Sequence, residues 1–119
     1  MSLFAAKPKP RILLVDDDPA LLTSYSRDLS AMWDVSSAGD GTMGLRAVET
    51  GPAFAVVVSN FRMPGMDGAA FLGKVKEIAP ETTRIMLTGE LDLRVAVQAV
   101  NEGNIFRFLT KPCSADHLQ

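Results

Sequence analysis

The sequence predicts an α/β fold, a doubly wound parallel sheet of five strands with helices on both faces. Three observations predict it. Strand and helix signals alternate from end to end of the 119 residues, without internal repeats or low-complexity segments. The run at 55–59 is apolar up to its final Ser59, as a parallel strand covered on both faces must be. Four apolar runs empty into polar groups: Asp16-Asp17-Asp18, Asn60, Thr88-Gly89 and Lys111-Pro112. In doubly wound sheets, ligands bind outside the carboxyl ends of the strands, which is where all four sets fall.

The elements follow in order. Residues 11–15 form the first strand, and Asp18 caps a helix whose first position is Pro19, where the missing N–H costs nothing. Leu21, Leu22, Tyr25, Leu29 and Met32 recur at helical spacing and give that helix one apolar face. Residues 33–38 alternate as a second strand, and a helix over 42–50 stops at Gly51-Pro52. After the third strand at 55–59, Asp67 caps a helix with Phe71, Leu72, Val75 and Ile78 facing inward before Pro80. Residues 84–87 and 105–109 are the fourth and fifth strands. The segment between them, 91–100, fits either period; a strand there would break the parallel crossover, so it is expected as a helix weakened by β-branched residues.

Composition sets bounds on function. The chain is one domain in length and ordinary in composition, with a net charge of −2 that argues against direct binding to nucleic acid or an anionic membrane. The lone Cys113 allows no internal disulfide and fits a reducing cytoplasm. No apolar run approaches the length of a membrane span. Residues 1–10, with Pro8 and Pro10, read as an N-terminal tail ahead of a domain over 11–119. Ser114 opens a last helix with few residues after it, so that helix is expected to be cut short.

The chemistry follows from these residue types. Clustered carboxylates repel one another unless a hard cation sits among them, and Mg²⁺ takes oxygen ligands while keeping positions open for phosphate. Lys111 supplies a charge for a phosphoryl oxygen and Thr88 a hydrogen bond for another. A carboxylate at position 60 could attack phosphorus to form an aspartyl phosphate. Asn60 cannot, because its amide oxygen is uncharged and a poor nucleophile.

At this point the chain resembles the response-regulator receiver domains of the CheY-like superfamily. The likeness spans residue 11 to about 119 and is carried by the acidic cluster, the turn Arg62-Met63-Pro64-Gly65-Met66-Asp67-Gly68, the Thr88-Gly89 pair and Lys111-Pro112. It implies a flavodoxin-like strand order of 2-1-3-4-5. It implies that Asp16 and Asp17 are the metal-binding acidic pair, with the backbone carbonyl of Arg62 as a further Mg²⁺ ligand. Asn60 falls on the phosphoacceptor aspartate, Thr88 and Lys111 on the phosphoryl-sensing hydroxyl and lysine, and Phe108 on the switch aromatic. The implied partners are a histidine kinase or phosphotransfer protein and an output domain or effector. The segment 100–112 further resembles receivers joined to HD-type cyclic-dinucleotide phosphodiesterases.

The resemblance implies no enzyme activity, and Asn60 implies phosphorylation deficiency with Mg²⁺ binding weakened or lost. Lys111 is then expected to pair with Asp16 or Asp17, and Arg62 and Glu90, at the rim, to pair across the pocket. The alternative is a constitutive pseudo-receiver that serves as an interaction module. Phosphatases of the haloacid-dehalogenase type place similar groups in similar order, but need a further acidic pair beyond the lysine, where this chain has only Asp116. Asp18 and Asp67 read as helix caps, Phe106 as core, and Trp33 and the methionines as packing; Cys113 and His117 belong to no complementary cluster.

Overall fold

A computed structural model describes residues 8–88 and 107–110, with Thr88 and 107–110 described through the backbone. The sheet is parallel. Strands β1 (Arg11–Val15), β2 (Asp34–Ala38), β3 (Val56–Asn60), β4 (Thr83–Thr88) and β5 (Arg107–Thr110) lie in the order β2-β1-β3-β4-β5. Helices α1 (Pro19–Leu29), α2 (Gly41–Glu49) and α3 (Gly68–Ile78) connect the first four strands.

Period-two alternation along the strands divides the core between two faces. Leu13, Val15, Val57 and Met86 meet Phe71, Leu72 and Val75 of α3 on one face. Ile12, Leu14, Val58, Ile85 and Leu87 meet Tyr25 and Leu29 of α1 on the other. Both faces are thus covered, which is why residues 12–15, 56–58 and 85–87 of the central strands are apolar. Burial pushes the Arg84 guanidinium pKa down, and that group donates to the carbonyls of Pro80 and Thr82 just ahead of β4.

Each helix start matches a side-chain cap. Asp18 accepts the N–H groups of Ala20 and Leu21, Asp40 that of Met43, and Asp67 that of Ala70. These bonds satisfy donors that the first helical turn leaves unpaired. Pro10, at the end of the expected tail, accepts the Asp34 N–H at 2.9 Å.

Three apolar residues depart from the sequence reading. Helix α1 ends at Leu29, so Met32 lies beyond it and is 59% exposed instead of extending the inward face. Ile78 is the last residue of α3 and is 44% exposed. Met43 is exposed on α2, whereas Met63 and Met86 are buried. Strand β3 is also shifted by one residue from the expected 55–59, so that it starts at Val56 and includes Asn60. The expected helix at 91–100 and the last helix lie outside the described residues.

Candidate functional site

The site forms at the carboxyl edge of the sheet, where β1 and β3 lie side by side. Val15 pairs with Ser59, so Asp16 and Asn60, the next residue of each chain segment, emerge as neighbours. Asp16 is buried; its N–H donates to the Ala38 carbonyl at 3.1 Å and its Oδ1 accepts the Asp18 N–H at 3.0 Å. That turn leaves Asp17 exposed and commits Asp18 to α1, where Oδ1 accepts two N–H groups at 3.0 and 3.2 Å. The three carboxylates therefore have three different settings: buried in the turn, facing the site, and capping a helix.

Asn60 closes β3. Its Nδ2 donates to Asp17 Oδ1 at 3.3 Å and to the Arg62 carbonyl at 2.7 Å. A primary amide has two N–H groups, and these two acceptors match that number. The orientation is set by chemistry: a carboxylate and a carbonyl only accept, so the nitrogen must face them. A small apolar cleft lined by Leu14, Leu21, Leu22, Tyr25 and Val58 lies between α1 and the sheet and reaches Asp16 and Asn60.

The loop from β3 to α3 completes the rim. It turns at Gly65, whose φ of +77° lies in the region that glycine adopts without strain. Met63 anchors it in the core, and the Gly68 N–H donates back to the Phe61 carbonyl at 2.7 Å. An open depression lined by Asp17, Phe61, Arg62, Pro64 and Asp67 lies along this loop. The Arg62 guanidinium is exposed, 5.8 Å from the Phe61 ring centroid.

Of the site residues expected from sequence, the described structure brings together Asp16, Asp17, Asn60 and the Arg62 carbonyl. Thr88 is placed through its backbone: Asn60 pairs with Leu87, and Thr88, one step on, pairs with Thr110. The backbone of Phe108 pairs with Met86. The side chains of Thr88 and Phe108, and the whole of Glu90 and Lys111, lie outside the described residues, as do the expected Lys111–carboxylate and Arg62–Glu90 pairs. Sequence reasoning missed the closeness of Gly68 to Asn60, where an added Cβ would sit 2.1 Å from the Asn60 carbonyl oxygen. The signal available was a glycine directly after a capping aspartate, where Ala would have been the better helix former.

Residues 12–119 match the family model of the response regulator receiver domain. The chain is 37% identical over 110 residues to the C4-dicarboxylate transport transcriptional regulatory protein DctD of Rhizobium meliloti, covering 92% of this chain and 24% of that protein. It spans about a quarter of the length of this regulator and of the hydrogenase transcriptional regulatory protein HoxA of Cupriavidus necator. Among solved structures, the adenylate cyclase from Rhodopirellula baltica superposes with a TM-score of 0.86 at 42% identity, covering 92% of this chain and 82% of that one. The signal receiver domain of an HD domain-containing protein from Pseudomonas fluorescens gives a TM-score of 0.85 at 36% identity, covering 92% and 88%. A family model matched over residues 12–119 and a relative at 37% identity place the chain in the family of response regulator receiver domains of two-component signalling.

Proposed function

We propose that this receiver holds Asn60 at the phosphoacceptor position and, as written, takes no phosphoryl group. The observation that carries the reading is the location of the Asn60 side chain, within hydrogen-bond reach of both Asp17 and the Arg62 carbonyl. Asp16, Asp17 and the Arg62 carbonyl are then the oxygen ligands of a receiver's Mg²⁺ site, of the type that this hard cation prefers. Thr88 and Lys111 are the phosphoryl-sensing pair, Phe108 the switch aromatic, and the whole sheet order 2-1-3-4-5 is that of the family. As they stand, the residues do not fit the cation, because an amide N–H points at two of the three oxygens. No reaction step is therefore assigned to the present chain.

The partners implied are a histidine kinase or phosphotransfer protein upstream and an output domain or effector downstream, acting in the cytoplasm. Receiver domains are in general non-enzymatic signalling modules, and the chain's curated relatives are transcriptional regulators. Among the described residues no helix is long and apolar enough to cross a membrane.

The test is Asn60→Asp. The variant is expected to gain one phosphoryl group from acetyl phosphate with Mg²⁺, seen by intact mass and lost on hydroxylamine treatment, while the present chain gains none. A variant that stays unlabelled would favour the second reading, a constitutive interaction module whose pocket has lost the chemistry. Labelling of the present chain would remove Asn60 from the acceptor role.

A further inference from the structure

We infer that the Asn60 amide is a built-in stand-in for the cation: it fixes the β3–α3 loop without metal and, by the same two hydrogen bonds, competes with metal. The inference rests on the reading of Asp16, Asp17 and the Arg62 carbonyl as a cation site, and adds to it a reason beyond lost charge.

Two oxygens that converge on one point need positive density between them. Asp17 Oδ1 and the Arg62 carbonyl oxygen converge on Asn60 Nδ2, at 3.3 and 2.7 Å. The two amide hydrogens supply the positive density, and one molecule of side chain thereby ties the end of the β1–α1 turn to the start of the β3–α3 loop. A Mg²⁺ ion would need the same oxygens at about 2.0–2.1 Å. For that the amide must turn and break both bonds.

It must turn in place, because its root is held. The Asn60 backbone is paired with Leu87 in the sheet, and its carbonyl oxygen accepts the Ser59 hydroxyl at 2.9 Å. Gly68 packs against the same carbonyl, with no room there for even a methyl group. Only rotation of the side chain can clear the oxygens.

Lost charge and a competing donor make different predictions for one variant. Asn60→Ala has the same formal charge as the present chain, so a charge-only account gives it no gain in cation affinity. If the amide swung round to offer its own oxygen, Asn60→Ala would bind more weakly. Under the stand-in account Asn60→Ala binds more tightly, because the competing donor is gone.

The experiment measures Mg²⁺ affinity of the 119-residue chain by calorimetry, for the present sequence, Asn60→Ala and Asn60→Asp. Mn²⁺ broadening of backbone NMR signals at 16–18 and 61–67 places the ion. Asn60→Ala is expected to bind Mg²⁺ about three- to ten-fold tighter than the present chain, from a net hydrogen-bond contribution of ordinary size, and Asn60→Asp tighter still. Asn60→Ala binding equal to or weaker than the present chain overturns the inference while leaving the cation site intact. Failure of Asn60→Asp to bind overturns the cation site itself. One readout needs no variant: signals of 61–67 in the present chain are expected to be sharp and unmoved between chelator and millimolar Mg²⁺. Broad signals that sharpen on adding Mg²⁺ would overturn the inference as well.

Discussion

Gly68 and Asn60 are in backbone contact: a Cβ built on Gly68 would lie 2.1 Å from the Asn60 carbonyl oxygen and 2.9 Å from its carbon. The first residue of α3 thus rests directly on the last residue of β3, and the helix reaches the site only because position 68 has no side chain. The obstructing atoms are backbone, so no rotamer change relieves the overlap.

Gly68→Ala is therefore expected to destabilise the chain. Helix propensity alone favours Ala over Gly by up to about 1 kcal/mol in a helix interior. Forced overpacking costs about 1–3 kcal/mol and opposes it. The steric effect wins, and the expected result is a lower urea midpoint with an unchanged slope. A midpoint that holds or rises would show that α3 does not sit this close to β3.

Gly44 makes a comparable contact between helices. A Cβ there would meet the Phe71 ring at 2.8 and 2.9 Å and Val15 Cγ2 at 3.1 Å. Phe71 and Val15 are buried in the same cluster, so the ring has little freedom to withdraw. Gly44→Ala is expected to cost about 1–3 kcal/mol. With Phe71→Leu in place the added methyl meets no ring edge, and the double variant should lose at least about 0.5 kcal/mol less than the two single losses together. Strict additivity in urea denaturation would contradict the packing described.

The third prediction separates neighbouring carboxylates by role. Asp18 Oδ1 accepts two N–H groups at the start of α1, so Asp18→Ala should cost about 1 kcal/mol of stability as the loss of a cap. In an Asn60→Asp background it should leave Mg²⁺ affinity within about two-fold, equivalent to about 0.4 kcal/mol. Asp17→Ala in the same background should remove most of the affinity with little loss of stability. If Asp18→Ala weakened Mg²⁺ as strongly as Asp17→Ala, Asp18 would be a ligand and the division of roles would fail.

The sequence by itself determined the fold class, the capped starts of α1 and α3 and the nature of position 60. Alternation of apolar runs with helical periods imposes a covered parallel sheet, and a capping aspartate acts through bonds to its own next few residues, as Asp18 and Asp67 do. That an asparagine has no nucleophilic carboxylate needs no structure at all. Tertiary structure decided how far each helix runs: periodicity assigned Met32 and Ile78 to inward faces, yet α1 ends before Met32, α3 ends at Ile78, and both side chains are exposed. It also decided what Asn60 touches. Asp17 is 43 residues away in sequence, and its bond to the Asn60 amide exists only because β1 and β3 are paired with Val15 beside Ser59. The same holds for Gly68 against the Asn60 carbonyl, where a glycine in a turn motif gives no indication of which atom it makes room for. Local chemistry is written in local sequence; a contact across strands depends on register, and register is set by the packing of the whole core.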